Sequence, residues 1–394
     1  MAKLIDITGK ALSGEWGSDD ETGTGIPVLR TTNFTNEGII NYDDVVSRKI
    51  SQKNINEKYL RSGDIIIEKS GGSDKFPVGR VVYFDGPDKT YLFNNFTGVL
   101  RVKDQQMWHP RYVFYSLFSN YRRGGTRAFE NRTTGLHNLK TDDYVSKYEV
   151  AGRDYEEQIT ICEKLDKIYA IIKYREQEIK SLDDLISARF VEMFGDPVVN
   201  DKGWEKRTLK NVCVKLNDGT HFSPESFETG KYKYVTAKNI KLSGFDFSNI
   251  TYIPEEVHRP IYDRCNPQYG DVLYIKDGAT TGIAMVNTLE EEFTLLSSVA
   301  LLKQDRTIIN GYFLCALLNN EHMYSDIRNN MGGAAITRLT IAKINAIKVI
   351  VPPLELQNRF ADFVRSTDKL KVEVQKSLDE TQTLFDSLMQ KYFG

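Results

Sequence analysis

The chain has 394 residues, of which 40% are hydrophobic and 27% are charged, and its formal net charge is −2. This length predicts two or more domains, because a single hydrophobic core stops growing at roughly 250–300 residues. No apolar run of about 18 residues is present and the start, MAKLIDITGK, lacks a signal-peptide pattern, so we expect a cytoplasmic protein without a membrane segment. The four cysteines lie too far apart in the sequence for a zinc site or a disulfide framework.

Residues 1–150 predict a mixed α/β domain. Short apolar runs such as Ile65–Ile67 and Val78–Phe84 are bounded by glycine, aspartate and asparagine, which is typical of strands, and a helical pattern spans Pro110–Tyr121. Residues 111–140 hold six basic residues against one acidic residue, Glu130. This imbalance predicts a patch that can neutralise phosphates.

Side chains that could contact DNA lie near this stretch, at a strand end and in glycine-containing loops. Arginine matches the hydrogen-bonding edge of guanine, and asparagine matches that of adenine. We expect a subset of the following residues to contact DNA: Arg30, Thr31, Thr32, Asn33, Lys69, Ser70, Gly71, Gly72, Ser73, Lys75, Asn94, Asn95, Arg122, Arg123, Arg127 and Arg132.

Residues 154–194 predict one long helix, since neither proline nor glycine interrupts them. Apolar residues recur in alternating steps of four and three, which is the heptad seam of a coiled coil. The apolar members of this seam are Ile161, Leu165, Ile168, Ile172, Ile179, Leu182, Ile186 and Met193.

Residues 197–350 predict a second domain with the layout of the first. The segments RSGDIIIEKSGGS at 61–73 and PQYGDVLYIKDGAT at 267–280 share a turn, an apolar strand, a lysine and a glycine-containing loop. Strand-like runs occur at Val272–Ile275 and Val299–Leu302, and a helical pattern spans Gly311–Arg328. The corresponding candidate DNA contacts are Thr236, Lys238, Asn239, Lys276, Asp277, Thr280, Thr281, Arg328, Asn329, Asn330 and Arg338.

The chain ends on a second copy of its middle helix. Phe194-Gly195 and Phe393-Gly394 are 199 residues apart, and the same offset aligns Gln158 with Gln357. It also gives a second seam, whose apolar members are Phe360, Val364, Val374, Leu378, Phe385, Leu388 and Tyr392. Because a single seam needs a partner, we expect the two helices to form an antiparallel coiled coil. The alternative is that each helix packs only on its own domain.

Motifs for catalysis are weak. NPQY at 266–269 is one letter from the Asn-Pro-Pro-aromatic motif of amino-methyltransferases, but no glycine-rich loop for the methyl donor accompanies it. PDK at 87–89 is interpreted as a turn, no P-loop pattern is present, and the five histidines lack ligand spacing. We therefore expect no catalytic residue, no metal site and no cofactor.

The whole arrangement resembles a specificity subunit of type I restriction-modification systems. The resemblance rests on EKSGGSDKFPVGRVVYFDG in the first half, TTGLHNLKTDDY and EEQITICEKLDKI before and in the first helix, and GAAITRLTIAKINAIKVIVPPLELQNRF before the second. It implies an α+β fold with a pseudo-twofold internal repeat. Two mixed α/β target recognition domains, 1–150 and 197–350, would be separated by two spacer helices, 151–196 and 351–394, forming an antiparallel coiled coil.

The resemblance also implies a function. A non-catalytic subunit would bind double-stranded DNA, with each domain reading one half of a bipartite target. The helices would set the gap and dock two methyltransferase subunits, and restriction subunits are further partners in such systems. Two alternatives remain open at this point, a self-sufficient DNA-modifying enzyme and a coiled-coil scaffold without DNA binding.

Overall fold

The computed structural model describes residues 1–50, 55–133, 136–329 and 338–394, with the side chains of residues 132, 133 and 136 outside this set. The chain divides into two compact units. Unit 1 comprises Met1–Arg175 and Ser377–Gly394, and unit 2 comprises Glu176–Lys376. Among the described helices, none is long and apolar enough to cross a membrane.

Unit 1 contains thirteen described strands and the helices α1 to α4, followed by the long helix α5. The strands are β1 (Ala2–Lys3), β2 (Leu12–Ser13), β3 (Ser18–Asp19), β4 (Ile26–Leu29), β5 (Val46–Lys49), β6 (Ile65–Glu68), β7 (Ser70–Gly72), β8 (Val81–Tyr83), β9 (Leu92–Phe93), β10 (Thr97–Leu100), β11 (Glu130–Thr133), β12 (Leu136–Leu139) and β13 (Glu149–Val150). The helices are α1 (Leu4–Thr8), α2 (Ile55–Lys58), α3 (Pro110–Arg122), α4 (Thr141–Lys147) and α5 (Tyr155–Phe194).

The central sheet of unit 1 has the antiparallel order β2-β10-β6-β8. All four residues of β6 are buried, because both faces of this strand are covered. Ile65 and Ile67 point into one apolar cluster with α3, and Ile66 points into another with Val82. A second sheet, β3-β5-β4-β9, a third, β11-β12-β7, and the pair β1-β13 complete the described part of the unit.

Unit 2 contains eleven described strands and five shorter helices. The strands are β14 (Lys206–Thr208), β15 (Cys213–Asp218), β16 (Tyr232–Val235), β17 (Ile240–Lys241), β18 (Gly244–Phe245), β19 (Thr251–Ile253), β20 (Val272–Ile275), β21 (Ala284–Val286), β22 (Thr294–Leu295), β23 (Val299–Gln304) and β24 (Lys348–Ile350). The helices are α6 (Leu209–Val212), α7 (Glu255–Arg264), α8 (Gly311–Asn319), α9 (Glu321–Asn329) and α10 (Ile341–Ala346), and the chain ends with α11 (Leu354–Phe393).

Unit 2 repeats the topology of unit 1. Its central sheet, β15-β23-β20-β21, has the same order and antiparallel pairing as β2-β10-β6-β8. The sheet β19-β16-β22 repeats β5-β4-β9, including the single parallel pair. The pair β14-β24 repeats β1-β13. The predicted α+β class and internal repeat are therefore confirmed.

One predicted helix is divided in the structure. The pattern at 311–328 predicted a continuous helix, whereas α8 ends at Asn319 and α9 begins at Glu321. The side-chain oxygen of Asn320 accepts hydrogen bonds from the backbone N–H groups of His322, at 3.2 Å, and Met323, at 3.3 Å. Asparagine at this position caps a new helix, and the cap competes with continuation of the first one.

The two long helices form the predicted antiparallel coiled coil. All fifteen apolar seam residues are buried or half-buried. In unit 1 the early part of α5 packs on the late part of α11, with the rings of Tyr169 and Phe385 6.1 Å apart. In unit 2 the late part of α5 packs on the early part of α11, where Lys371 pairs with Asp183 at 2.7 Å. This reversal of order makes the helices antiparallel.

The repeated Phe-Gly ends of the long helices have a packing role. Phe194, at the end of α5, packs on Phe313, with ring centroids 4.7 Å apart, in the core of unit 2. Phe393, at the end of α11, packs on Tyr112, with centroids 5.1 Å apart, in the core of unit 1. Each long helix thus begins in one unit and ends in the core of the other.

A buried glutamine joins each long helix to the globular part of its unit. The side-chain oxygen of Gln158 accepts the N–H of His109 at 2.9 Å, and its amide nitrogen donates to the carbonyls of Met107 and Arg153 at 3.0 Å each. His109 directly precedes α3, so this contact satisfies a helix-terminal donor.

Gln357 repeats the arrangement in unit 2. Its side-chain oxygen accepts the N–H of Asn310 at 2.8 Å, and its nitrogen donates to the carbonyls of Ile308 and Pro352 at 3.1 and 2.7 Å. The alignment of the two glutamines in the sequence therefore reflects one structural joint used twice.

Replacing Gln158 or Gln357 by leucine is expected to lower the free energy of unfolding by about 2–3 kcal/mol, because leucine leaves buried backbone groups without partners. Urea denaturation followed by circular dichroism measures the change. Gln177→Leu on the exposed face of α5 is the matched control and should cost less than about 0.5 kcal/mol. Equal losses of unfolding free energy in the control and the two variants would contradict the role of Gln158 and Gln357 in joining the long helices to their units.

Candidate nucleic-acid interface

The strand-end turns that carry Asn33 and Asn239 have the same construction. The side-chain oxygen of Asn33 accepts the N–H of Arg30 at 2.8 Å, and its nitrogen donates to the carbonyls of Asn41 and Asp44. Asn239 likewise accepts the N–H of the preceding Thr236 at 2.9 Å and donates to the carbonyl of Asp246.

Both asparagines are buried and their amides shape the turns from inside. Sequence reasoning proposed them as adenine contacts, but their donors and acceptors are engaged within each unit, so we leave them out of the proposed DNA surface. The preceding residues, Thr32 and Lys238, occupy equivalent positions and are exposed. Arg30 pairs with Asp44 at 2.8 Å, whereas Thr236 caps its own turn.

In unit 1 an ion pair ties this turn to the end of the central strand. Glu68 is buried, and Arg80 lies 3.3 Å from its carboxylate. Arg80 also donates to the carbonyls of Thr31 and Phe34 at 2.9 and 2.8 Å. Burial raises the pKa of Glu68, and the charge of Arg80 opposes that rise. The pair therefore fixes the position of the turn relative to β6.

The glycine loop of unit 1 lies against the same group. Gly71 has φ = +134°, and a Cβ there would lie 3.0 Å from Glu68 Oε1 and 4.0 Å from Thr31 Oγ1. A Cβ on Gly72 would lie 2.4 Å from the backbone nitrogen of Val78, so only glycine fits. The structure thus brings together two predicted segments, the strand-end turn and the glycine loop.

Beyond the glycine loop, the chain presents a cation and an aromatic ring to solvent. Ser73 and Phe76 close a turn through hydrogen bonds of 2.6 and 3.1 Å. Lys75 is exposed with its ammonium 5.2 Å from the ring of Phe76, which is itself exposed. Phe96 is exposed next to Asn95.

Sequence reasoning missed Phe76 and Phe96. An aromatic residue inside a polar loop is the signal that could have found them, since such rings can contact thymine methyl groups. Asn94, by contrast, is buried, and its side-chain oxygen has no hydrogen-bond partner within the described part of the chain.

Three basic residues of the stretch 111–140 attach α3 to the long helices. Arg111 pairs with Asp166 of α5, Arg122 pairs with Asp386 of α11 at 2.7 Å, and Arg123 donates to the carbonyl of Phe393. Arg111 and Arg122 are paired with carboxylates and Arg123 binds a carbonyl within unit 1, which weakens the prediction of a phosphate-binding patch at 111–140. We therefore leave Arg122 and Arg123 out of the proposed surface.

The stretch 111–140 contains two further predicted DNA contacts, Arg127 and Arg132. Arg127 is exposed and donates to the carbonyl of Asp74 at 3.2 Å, so it borders the glycine loop. The side chain of Arg132 lies outside the described residues.

In unit 2 the lysine at the end of the central strand is neutralised. Lys276 is buried, with its Nζ 3.3 Å from a carboxylate oxygen of Asp218 and 3.3 Å from one of Asp277. Asp277 also pairs with Arg338 at 3.1 Å, which joins the strand end to the segment before α10. The charge of Lys276 is therefore matched within unit 2.

The side chain of Arg328 stabilises the loop that follows Lys276. Its guanidinium donates to the carbonyl of Thr281 at 2.8 Å and lies 5.4 Å from the ring of Tyr324. Thr281 is buried and donates to the carbonyl of Gly278, whereas Thr280 is exposed at the loop surface. Asn329 is also exposed, and Asn330 lies outside the described residues.

The methyltransferase-like motif at 266–269 forms a turn. The side-chain oxygen of Asn266 accepts from Lys215 at 3.1 Å, and the N–H of Gln268 donates to Asp271 at 2.9 Å, directly before β20. Within the described ranges no group of three His, Cys, Asp or Glu side chains is placed to hold a metal ion. The described loops offer hydrogen-bond donors, acceptors and cations, which suit recognition of base edges and phosphates.

Comparison with known proteins agrees with this duplicated recognition architecture. The family model of the type I restriction modification DNA specificity domain matches residues 2–183 and again residues 201–381. The chain therefore belongs to the specificity subunits of type I restriction-modification systems, which recognise DNA targets.

Two curated relatives come from Methanocaldococcus jannaschii. The type I restriction enzyme MjaIX specificity subunit is 22% identical over 406 aligned positions, covering 95% of this chain and 86% of the relative. The putative type I restriction enzyme MjaX specificity subunit is 23% identical over 195 positions, covering 48% of this chain and 45% of the relative.

Two solved structures share the fold. The S subunit of a type I restriction-modification system from M. genitalium has a TM-score of 0.59 at 17% identity, covering all of this chain and 95% of that one. A chain from a study of complex assembly and conformational transition of the type I system has a TM-score of 0.54 at 16% identity, covering all of this chain and 96% of that one.

Proposed function

We propose that this chain is the non-catalytic subunit that selects a bipartite DNA target for a methyltransferase and restriction complex. Residues 1–150 and 197–350 are the two target recognition domains, and each reads one half of the target. Residues 151–196 and 351–394 are the spacer helices that set the gap between the halves. The proposal is carried by one observation, the same strand-end turn in both units with different exposed side chains.

The proposed reading surface consists of the described, accessible groups around these turns. In unit 1 it comprises Thr31, Thr32, Lys69, Ser70, Gly71, Ser73, Lys75, Phe76, Asn95, Phe96 and Arg127, and in unit 2 Lys238, Thr280, Asn329 and Arg338. Because the frame is common and the side chains differ, the two units are expected to prefer different bases. Two readers on a rigid spacer engage their half-sites only at a fixed distance and phase along the duplex.

The long helices offer surface for the partner subunits. Seven large apolar side chains on α5 and α11 are between 45 and 75% exposed: Ile171, Tyr174, Leu185, Val191, Leu370, Val372 and Leu384. Exposed apolar side chains mark an interface where they lie together in a patch, so docking on these helices is proposed from membership of the family as well as from these residues. We propose that two methyltransferase subunits dock on these helices, that restriction subunits join the same complex, and that the complex works in the cytoplasm with the DNA it reads.

Exchanging residues 1–150 for the corresponding domain of another specificity subunit should change one half of the target and leave the other half unchanged. The reason is that each unit has its own core and its own reading loops. Mapping of methylated adenines in cells that carry the native or exchanged gene gives both halves and the gap.

The control is the matching exchange of residues 197–350, which should alter only the second half. A change in both halves after a single exchange would contradict independent readers. Methyl transfer by the isolated chain would instead favour a self-sufficient enzyme, and absence of any DNA binding by the reconstituted complex would favour a scaffold.

A further inference from the structure

The two units treat one equivalent lysine differently. Lys69 directly follows β6 and Lys276 directly follows β20. Their backbones are held alike, since each N–H donates to the residue just before the neighbouring strand, Phe96 or Ser298, and each carbonyl accepts from the N–H of Leu139 or Leu339. The two side chains therefore start from the same place in the two copies of the sheet.

Pairing in the central sheets identifies the counterparts of the carboxylates around Lys276. Asp218 on β15 lies opposite Ala300, and the equivalent glycine of β10, Gly98, lies opposite Ser13 on β2. Ser13 is therefore the counterpart of Asp218. Ser70 directly follows Lys69 and Asp277 directly follows Lys276, so Ser70 is the counterpart of Asp277.

Both carboxylates that neutralise Lys276 are thus serines in unit 1. Leu139 and Leu339 are counterparts, so the residues before them, Asn138 and Arg338, are counterparts as well. Asn138 in unit 1 therefore stands in the place of Arg338, which pairs with Asp277 in unit 2. In unit 2 the lysine is paired with two carboxylates, and one of these, Asp277, also pairs with Arg338. In unit 1 two serines and an asparagine take the places of Asp218, Asp277 and Arg338 around the lysine.

The side chain of Lys69 follows the same path as that of Lys276. Its Cδ lies 3.3 Å from the point where a Cβ on Gly98 would stand, so it crosses β10 towards β2, where Ser13 is exposed. Within the described part of the chain Lys69 makes no ion pair and no side-chain hydrogen bond. Burial lowers the pKa of Lys69, and the charge of Asp142, beyond ion-pair distance, partly opposes this.

A half-buried ammonium that has no hydrogen-bond or ion-pair partner among the described residues is costly, and the cost is removed when an oxygen acceptor binds. We propose, on the basis of the DNA-reading function above, that Lys69 binds an acceptor of the DNA in the half-site read by unit 1, whereas Lys276 is a structural cation. The acceptor is an oxygen of a phosphate or the O6/N7 edge of a guanine, both of which lysine recognises.

The repeat supplies a test of this assignment. Ser13→Asp gives Lys69 the partner that Lys276 has, and Lys69→Met removes the charge while keeping the bulk. Each variant is measured as the full chain reconstituted with its methyltransferase subunits, on a duplex carrying the mapped target. Both changes should weaken binding by about tenfold, and Ser13→Asp should leave the urea midpoint of the free chain unchanged or higher.

The salt dependence of binding and the discrimination between bases distinguish a phosphate acceptor from a guanine acceptor. If Lys69 meets a phosphate, the variants lose affinity equally for all duplexes and the salt slope falls by about one. If it meets a guanine, discrimination at one base pair of the first half-site is lost, while substitutions in the second half-site keep their effects. Either result supports the proposal.

Lys276→Met is the matched control. It removes the cation that Asp218 and Asp277 share, so it should lower the urea midpoint and leave the salt slope of the folded protein unchanged. Native affinity and salt slope in both Lys69→Met and Ser13→Asp would overturn the assignment while the DNA-reading function stands. Failure of the unsubstituted complex to bind the mapped target would instead remove the proposed function itself.

Discussion

Alanine at Phe194 is expected to lower the free energy of unfolding by about 3–5 kcal/mol. This ring is fully buried in unit 2, with the centroids of Phe190, Phe313 and Phe360 at 5.2, 4.7 and 5.5 Å. Its removal leaves a cavity at the end of α5 that neighbouring aromatic rings cannot fill without leaving their rotamers. Urea denaturation of the full chain, followed by circular dichroism, measures the loss.

The control is Val191→Ala, one turn earlier on the exposed side of α5. Its expected cost is below about 1 kcal/mol. Phe393→Ala, at the equivalent end of α11, should also cost several kcal/mol, since the ring packs on Tyr112 and Tyr115. A loss at Phe194 no larger than that at Val191 would mean that the helix end does not anchor in unit 2.

Inserting one heptad into each long helix should abolish modification of the native target. Seven residues lengthen a helix by about 10 Å, which corresponds to roughly three base pairs and a rotation of roughly 100° around the duplex. Insertions after Arg175 and after Lys376 keep both seams in register, so the coiled coil itself is expected to persist. Binding to duplexes with systematically varied gaps measures the effect.

The half-site preferences should survive the insertion, because the reading loops are unchanged. A control with one heptad in α5 alone mismatches the two seams and should reduce stability as well as binding. An unchanged preferred gap in the matched double insertion would contradict the role of the helices as a spacer.

The parts of the fold that depend on local pattern could be predicted from the sequence. The seam from Ile161 to Met193 is a periodic signal that one segment carries alone, and its repeat at an offset of 199 residues supplied the partner helix. The buried strands β6 and β20 were likewise visible as short apolar runs bounded by turn residues.

The parts that depend on long-range pairing could not be predicted in the same way. Arg122 meets Asp386, which is 264 residues away in the sequence, so its use as a tether to α11 leaves no local signal. Lys69 and Lys276 occupy matching places in the sequence, and the pairing of β2 and β15 with their neighbours is what identifies Asp218 as the cross-strand partner of Lys276. Asn33 and Asn239 were recognised as equivalent, but their inward hydrogen bonds depend on the three-dimensional path of the turn.

The exchange of helix ends between the units has a consequence for the order in which the protein matures on the ribosome. The core of unit 1 includes Phe385, Met389 and Phe393, which follow the whole of unit 2 in the sequence, whereas unit 2 is one continuous segment. At roughly 5–20 residues per second, the nascent first half waits roughly 10–40 s for these side chains. Unit 1 is thus completed only after unit 2 has been translated, and until then its open core is a site where chaperones can bind.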